Sequence, residues 1–331
     1  MRNARLVTLM SCQWADMDLD TLCSKAADMG YDGIELAIWG NHLDPIRAAK
    51  DDAYVDEIKS IFKKHGLVVK ALCAHVPSQC VGDYADPRLN NFAPAPLADK
   101  PDEIRAWATE TMKAAAVAAR KLGAYCVTGF VGSTIWKYMY SFPQTTEEMI
   151  ERGFQEIRDL WLPILDVFRD NGIKYCLEVH PAEIAFDYWT TKRLLEKMAD
   201  RPEFGLNFDP SHLQWQGISP HLFLEDFISR VYHVHMKDCA VTLNGRNGIL
   251  CSHIDFGDLR RGWNFRSLGH GDVNFEEIIR VLNAYNYQGP LSVEWEDSGM
   301  DREFGAREAC AFVRKIDFPA SDIKFDSAIK S

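Results

Sequence analysis

The feature that most constrains the fold of this chain is a unit that recurs along it: an amphipathic helix, then a glycine, then a short run of β-forming residues. The unit occurs at residues 27–39, 61–75, 118–131, 168–180 and 282–296. We expect glycine to end each helix because, without a Cβ, it adopts the left-handed conformation of a helix C-cap. The runs that follow are apolar almost throughout, which is typical of parallel strands covered by helices on both faces.

The chain contains eight alternations of strand and helix. Strands are predicted near residues 5–10, 33–38, 67–74, 125–131, 173–179, 204–209, 231–236 and 290–295. Helices are predicted near residues 18–29, 51–65, 99–122, 145–171, 190–200, 220–229, 274–285 and 302–315. Eight alternations indicate a closed (β/α)8 barrel, the TIM barrel fold of the α/β class, rather than an open doubly wound sheet. The lack of a G-x-G-x-x-G motif after the first strand also disfavours a dinucleotide-binding fold.

No linker rich in Pro, Ser or Gly divides the chain, so we predict a single barrel domain over residues 1–331. A barrel of this type takes about 250 residues, and the excess is expected in three long insertions after strands 3, 4 and 7. These are residues 75–98, 131–145 and 237–273. All three leave the C-terminal ends of strands, where barrel enzymes build their sites, and we expect them to form a lid or a partner surface.

Charge and cysteine content narrow the classes of partner and location. A formal net charge of −11 argues against a nucleic-acid partner, which requires a surface of Lys and Arg. Nine dispersed cysteines without a C-x-x-C pair favour the reducing cytosol over a disulfide framework. The apolar run at residues 6–10 is too short for a secretory signal, and no stretch of 18 apolar residues occurs. We therefore expect a cytoplasmic protein without a membrane segment.

Four consecutive predicted strands end in side chains that are able to bind a metal. They are Glu178 in LEVH, Asp209 in FDPSH, His235 in HVHMKD and Glu294 in VEWED. A lone carboxylate at a strand end is more often a helix N-cap, but four such groups at corresponding points of consecutive units favour one shared metal site. Three carboxylates and one imidazole suit a divalent cation, for which we expect Mn²⁺, with Mg²⁺, Co²⁺, Zn²⁺ or Fe²⁺ as alternatives. Of the two histidines in HVHMKD, we expect only one to face the barrel interior.

Further polar and aromatic residues are predicted to act on the substrate. His180 and His212 are candidate catalytic groups, because the ordinary pKa of imidazole, near 6.5, suits proton transfer at neutral pH. The candidate substrate-binding residues are His75, Trp136, Lys237, Arg266 and His270. Simpler interpretations stay open for three of these: core packing for Trp136, a solvated side chain for Lys237 and a surface salt bridge for Arg266.

The motifs GYDGIEL, LEVH, FDPSH, HVHMKD, VEWED and LGHGDVNFEEII resemble those of the xylose isomerase-like barrel superfamily, often named sugar phosphate isomerase/epimerase. The resemblance covers essentially the whole chain. It implies that Glu178, Asp209, His235 and Glu294 bind one divalent metal, and that His212 contacts the substrate. It also implies that the two glutamates, as a proton-transfer pair, catalyse removal of a proton α to a sugar carbonyl through an enediolate.

Departures from the ketose 3-epimerase pattern narrow the expected reaction. Those enzymes carry a Pro-containing, Asn-rich turn after the strand-5 glutamate, where this chain has Val179, His180 and Pro181. They also carry an arginine six residues after the strand-7 histidine, where this chain has Val241. HVHMKD instead resembles inosose dehydratases. The segments 251–272 and 298–315 resemble the catalytic (alpha) subunit of bacterial C-glycoside deglycosidases, which act on 3-oxo-glycosides and pair with a small β-rich subunit.

The expected function is therefore that of a metal-dependent carbon–carbon or carbon–oxygen lyase. It would perform β-elimination on a 3-oxo-glycoside and release the aglycone and an anhydro-keto-sugar. The alternatives are a sugar isomerase, ketose 3-epimerase or inosose dehydratase, and, from another class, a non-catalytic sugar-binding barrel. A damage-specific endonuclease of the same superfamily is disfavoured by the pI near 5.4. We also expect a small-molecule sugar or glycoside substrate, the β-rich partner subunit and an oligomer.

Overall fold

The computed structural model describes residues 4–321, so residues 1–3 and 322–331 of the predicted domain lie outside the described residues. Eight parallel strands form a closed barrel, and each hydrogen-bonds to its neighbours around the ring. They are β1 (Val7–Met10), β2 (Gly33–Ala37), β3 (Val68–Cys73), β4 (Cys126–Gly129), β5 (Lys174–Glu178), β6 (Phe204–Phe208), β7 (Val231–Met236) and β10 (Leu291–Val293). These strands confirm the predicted (β/α)8 barrel, and each lies within its predicted range.

Helices alternate with the barrel strands and cover them from outside. They are α1 (Leu19–Met29), α2 (Pro45–Lys50), α3 (Asp52–His65), α4 (His75–Gly82), α5 (Pro101–Leu122), α6 (Glu147–Asn171), α7 (Tyr188–Lys197), α8 (Pro210–Gln214), α9 (Pro220–Phe227), α10 (Phe275–Ala284) and α11 (Arg302–Ile316). Their apolar stripes pack on the strands, as where the rings of Trp161 on α6 and Tyr175 on β5 lie 4.4 Å apart between centroids.

Glycine ends four of the five helices for which the sequence predicts it. The C-caps of α1, α3, α5 and α6 are Gly30, Gly66, Gly123 and Gly172, all in the left-handed region. The fifth expectation was wrong, since α10 is capped by Tyr285, ahead of Gly289. Asn286 takes the positive φ there, at +57°, because its short polar side chain tolerates that conformation.

The three long insertions follow β3, β4 and β7 as predicted, but each contains structure of its own. The first includes α4 and two 3-10 turns, and the second has a 3-10 turn at Trp136–Tyr138. The third contains an antiparallel pair, β8 (Asp238–Val241) and β9 (Trp263–Arg266), which the sequence did not indicate. Two four-residue strands separated by a long loop give no hairpin signal, because that signal depends on a short turn between them.

Within residues 4–321, none of the helices is both long enough and apolar enough to cross a lipid bilayer.

Candidate active site

The four predicted metal ligands converge at the C-terminal rim of the barrel. Glu178 is the last residue of β5, and Asp209 and Glu294 follow β6 and β10 directly. With His235 of β7, all four are buried, and each offers a ligand atom within 4.8 Å of the others. Nδ1 of His235 lies 3.0 Å from Oε2 of Glu178 and 2.9 Å from Oε2 of Glu294. Barrel closure brings these positions together because consecutive parallel strands end at one rim.

Asp209 has both of the roles that the sequence left open for a carboxylate at a strand end. Its Oδ1 accepts a hydrogen bond of 2.7 Å from the amide of Ser211, so Asp209 caps the N-terminus of α8. Its other oxygen, Oδ2, is buried and has no hydrogen-bond partner among the described residues. Nε2 of His212 and Nζ of Lys237 lie 3.2 and 3.8 Å from it as ion-pair contacts without hydrogen-bond geometry. A buried carboxylate oxygen that accepts no hydrogen bond is costly, and this one faces the other three residues of the group.

The donor set of this group fits a hard divalent cation. Three buried carboxylates in close proximity repel one another unless positive charge lies among them. Burial raises the pKa of Glu178, but the facing His75, His212 and His235 outweigh it and hold that pKa well below its usual range. Oxygen-rich coordination with one nitrogen is what Mn²⁺ and Mg²⁺ accept. Oδ2 of Asp209, which accepts no hydrogen bond, supplies a position that a cation would satisfy.

Lys237 brings a second positive charge to the same rim. Its side chain is buried, and Nζ lies 2.9 Å from Oε1 of Glu294 and 3.2 Å from Oε2 of Glu296. The ammonium also lies 4.3 Å from the ring centroid of Phe265. Burial lowers the pKa of Lys237, but Glu294 and Glu296 outweigh it and raise that pKa well above its usual range. The solvated lysine considered from the sequence is therefore wrong.

Three predicted histidines also lie at this rim. Nε2 of His75 is 3.1 Å from Oε2 of Glu178. Nε2 of His212 lies 3.3 Å from Oε1 of Glu178 and 3.2 Å from Oδ2 of Asp209. Burial lowers the pKa of His212, but Asp209 outweighs it and raises that pKa to about 9. The ring centroids of His180 and His212 lie 4.2 Å apart. Burial holds the pKa of His180 well below its usual range.

A cavity of about 820 Å³ begins at His180 and His212 and extends outward from the four-residue group. Its aromatic lining comes mainly from the second and third insertions and consists of Trp136, Phe186, Trp215, Phe256, Trp263 and Phe265. The rings of Trp215 and Trp263 stack with their centroids 4.6 Å apart and an angle of 4° between the ring planes.

Three residues with strained backbone also line the cavity. They are Cys251, Ser252 and His253, with φ of 59°, 50° and 59°. This left-handed conformation is unfavourable for L-residues and is found in clusters at ligand sites.

Two of the predicted substrate-binding residues, Arg266 and His270, neither line this cavity nor contact the four-residue group. Arg266 lies on the face of β9 opposite Phe265, and its Nη1 is 3.9 Å from Oδ1 of Asp297. That contact favours the salt-bridge interpretation. The side chain of His270 is 46% exposed and pairs with Glu308 of α11. The structure therefore gives no support to substrate contacts by Arg266 or His270, whereas Trp136 and the buried Lys237 border the site.

Sequence reasoning missed Glu35 of β2, which lies inside the barrel below the four-residue group. Its carboxylate contacts Nε2 of both His233 and His235, at 2.9 and 3.0 Å. The expectation that only one of these histidines faces inward was wrong, because residues two apart on a strand share a face. A signal was present, since a glutamate within the fully buried strand GIELA requires a partner. Asn207 was missed likewise; its Nδ2 donates to Oε2 of Glu178 at 2.8 Å.

Comparison with known proteins adds family and fold relationships. A sequence model of the family described as xylose isomerase-like TIM barrel matches residues 23–316. The uncharacterised protein YfiH of Bacillus subtilis is 28% identical over 184 residues, 54% of this chain and 58% of that protein. Inosose dehydratase of Clostridium botulinum is 25% identical over 174 residues, 52% of this chain and 54% of that enzyme. The matches thus span little more than half the length of these curated relatives.

Solved structures share the fold over nearly the whole chain. The apo form of the 3-keto-D-glucoside 4-epimerase YcjR from E. coli has a TM-score of 0.67 at 16% identity, and the match covers 94% of this chain and 99% of that one. At this identity the likeness concerns the fold alone.

Proposed function

Because the chain belongs to the xylose isomerase-like TIM barrel family, we propose that it is a divalent-metal-dependent enzyme that removes a proton from the carbon next to a sugar carbonyl. The family assignment confirms the superfamily resemblance seen in the sequence motifs; the resemblance to the deglycosidase subunit stays a proposal. The relatives named above include an inosose dehydratase, 25% identical over 52% of this chain, which supports a sugar-modifying enzyme. A protein that only bound sugar would not need three buried carboxylates beside His180 and His212.

The metal site is proposed at Glu178, Asp209, His235 and Glu294. When bound there, the cation would act as a Lewis acid on the sugar carbonyl and stabilise the negative charge that develops as the neighbouring proton leaves. The convergence of the four side chains and the lack of a hydrogen bond to the buried Oδ2 of Asp209 support this proposal. We propose Mn²⁺ as the ion because of the oxygen-rich donor set, with Mg²⁺, Co²⁺, Zn²⁺ or Fe²⁺ as alternatives.

We assign proton transfer to Glu178 and Glu294, which come from β5 and β10 and can approach the substrate from different sides. A carboxylate positioned within hydrogen-bond reach of the reacting carbon accepts its proton. Lys237, held 2.9 Å from Oε1 of Glu294, would stabilise negative charge on substrate oxygens. His75, 3.1 Å from Oε2 of Glu178, would hold that carboxylate in place and border the sugar.

We propose β-elimination on a 3-oxo-glycoside as the reaction. The observation that carries this choice is the aromatic cavity of about 820 Å³ that begins at His212. A free ketose does not need that volume, whereas an aglycone does, and flat apolar groups pack well on Trp and Phe rings.

In this reaction a glutamate takes the C2 proton, which the 3-oxo group acidifies. The electron pair of the broken C2–H bond then forms the C1–C2 double bond, while the bond from C1 to the aglycone breaks and its electron pair leaves with the aglycone. His212 lies between the four-residue group and the cavity, and it donates a proton to the aglycone atom that leaves C1. His180 packs against His212. The products are the protonated aglycone and an anhydro-keto-sugar.

The same proton removal would also serve a sugar isomerase, a ketose 3-epimerase or an inosose dehydratase. The match to the inosose dehydratase of Clostridium botulinum favours the last of these as the second candidate.

Four further points are proposals that rest on the sequence resemblance and composition: a single domain, a small β-rich partner subunit, self-association and a cytoplasmic location. The dispersed cysteines, all free, are consistent with a reducing compartment.

Solvent deuterium distinguishes the reactions. Metal-loaded protein is incubated in D₂O with panels of 3-oxo-glycosides, inososes and ketoses, and products are read by mass spectrometry and NMR. For a 3-oxo-glycoside we expect release of the aglycone, together with deuterium at C2 of recovered substrate wherever the abstracted proton exchanges with solvent and returns before elimination. Interconversion of free ketohexoses without action on 3-oxo-glycosides would select the epimerase instead.

The cavity makes a separate prediction about specificity. Trp136→Ala should raise the KM for a 3-oxo-glycoside with an aromatic aglycone by about 2- to 10-fold, the effect of losing one aromatic contact, and should leave the KM for an analogue with a methyl aglycone unchanged. Trp189→Ala is the matched control, because Trp189 is 71% exposed on α7 and lies outside the cavity. Equal effects of Trp136→Ala on both substrates would argue against an aglycone site.

A further inference from the structure

Glu35 is a fully buried carboxylate that the proposed mechanism does not use directly. It lies on β2, and its partners come from β4, β7 and β10 across the barrel interior. It is 1% exposed, so its charge must be satisfied entirely by the surrounding protein.

Every contact of this carboxylate is with a hydrogen-bond donor. Oε2 lies 2.9 Å from Nε2 of His233, 3.0 Å from Nε2 of His235 and 2.6 Å from the hydroxyl of Ser292. Oε1 lies 3.2 Å from Nε2 of His235 and accepts from the hydroxyl of Thr128. An ionised carboxylate can only accept hydrogen bonds. Nε2 of His235 must therefore carry a proton.

A neutral imidazole that is protonated on Nε2 has its lone pair on Nδ1. Nδ1 of His235 is the atom that faces Glu178 and Glu294, at 3.0 and 2.9 Å. Without a metal these carboxylates would favour a proton on Nδ1 as well; a cation bound among them would replace that proton and leave the proton on Nε2 in place. We propose that Glu35 is a positioning residue that fixes Nδ1 of His235 as the metal ligand and sets the orientation of its ring. The inference rests on the metal site of the proposed function, and it extends that site from four residues to a carboxylate–histidine–metal unit.

A second metal ion at Glu35 is the first competing interpretation, because ligand atoms of Glu35, His233 and His235 also lie within 4.8 Å of one another. Two points oppose a second metal ion. A metal on Nε2 of His235 would require a lone pair there and would displace the hydrogen bond to Glu35. The hydroxyls of Ser292 and Thr128 already occupy the carboxylate from two further sides. Glu35 is thus arranged to hold donors rather than a cation.

A purely structural role is the second competing interpretation, because Glu35 joins strands from opposite sides of the barrel. If Glu35 had only this role, its replacement would lower the stability of the protein without altering the metal affinity of the folded fraction. Metal affinity and thermal unfolding therefore have to be measured on the same preparations. Neither measurement needs a substrate, so the result does not depend on the reaction assigned above.

The test is Glu35→Gln, with Mn²⁺ titrated by calorimetry into metal-free protein of confirmed fold. The amide is neutral and keeps one acceptor oxygen, while its NH₂ group faces side chains that donated to Glu35. The hydrogen bond that orients His235 is therefore weakened, and we expect Mn²⁺ affinity to fall by about 10- to 100-fold. Tyr125→Phe is the matched control. It removes the 2.8 Å contact to Nδ1 of His233 and leaves the contact between Glu35 and His235, so it should change Mn²⁺ affinity by less than about 3-fold.

If Glu35→Gln does not fold, Glu35→Asp serves, because it keeps the charge and withdraws the carboxylate by one methylene; the same loss of affinity is expected. Wild-type affinity in a folded Glu35 variant, with only a lower Tm, would overturn the inference and leave the proposed function standing. A wild-type protein that binds neither Mn²⁺ nor the other candidate divalent ions would overturn both.

Discussion

Glu178→Gln and Glu294→Gln should each lower kcat on a 3-oxo-glycoside by about 10²- to 10⁴-fold, the range for loss of a positioned acid–base group, and should weaken metal binding as well. Glutamine keeps the shape of the side chain but removes both the charge and the proton-accepting oxygen. Steady-state kinetics with excess metal, combined with the metal content of the purified variants, checks this prediction.

Glu203→Gln is the matched control for these two variants. Glu203 is also a buried carboxylate, but it lies at the N-terminal end of β6, opposite the rim that carries Asp209, and its Oε1 pairs with Nε of Arg201 at 2.6 Å. Its replacement should lower stability and leave kcat and metal content unchanged. Near-normal turnover in both Glu178→Gln and Glu294→Gln would refute their assignment as the proton-transfer pair.

Lys237→Met should destabilise the metal-free protein by about 3–5 kcal/mol, the cost of removing one partner from a buried ion pair. Its ammonium lies among three carboxylates, at 2.9 Å from Glu294, 3.2 Å from Glu296 and 3.8 Å from Asp209. Because a bound cation would offset part of the same repulsion, the loss should be smaller when the protein is saturated with Mn²⁺. Urea unfolding of the metal-free and metal-loaded forms measures both values.

Lys237→Arg provides the control, since it keeps the charge while changing its shape, and it should retain most of the stability. Turnover provides a second readout for Lys237→Met, because a cation that stabilises developing negative charge contributes about 10²- to 10³-fold to kcat. A destabilisation that is identical with and without Mn²⁺ would show that the lysine and the metal do not share the carboxylate cluster.

Local sequence patterns were sufficient to predict the barrel. Glycine C-caps at Gly30, Gly66, Gly123 and Gly172 and the apolar strand runs depend on neighbouring residues only. The grouping of Glu178 with the proposed ligand residues of the next three barrel strands was predictable for a related reason. Once parallel strands close into a barrel, residues at corresponding strand ends must meet.

Contacts between distant segments were decided by the tertiary structure alone. Glu35 and His235 are 200 positions apart, and their pairing depends on how strands meet across the barrel interior. The burial of Lys237 depends on Phe265, which the unforeseen strand β9 places over it. The exposure of His270 was equally invisible, because no local pattern shows where a long insertion packs.

The sequence by itself therefore determined the (β/α)8 barrel and the four residues at its rim, because periodicity and strand-end position are local properties. Only the tertiary structure decided the acceptor for His235, the charge partners of Lys237 and the aromatic cavity beside His212. Each of these depends on contacts that form after segments far apart in the chain have packed together.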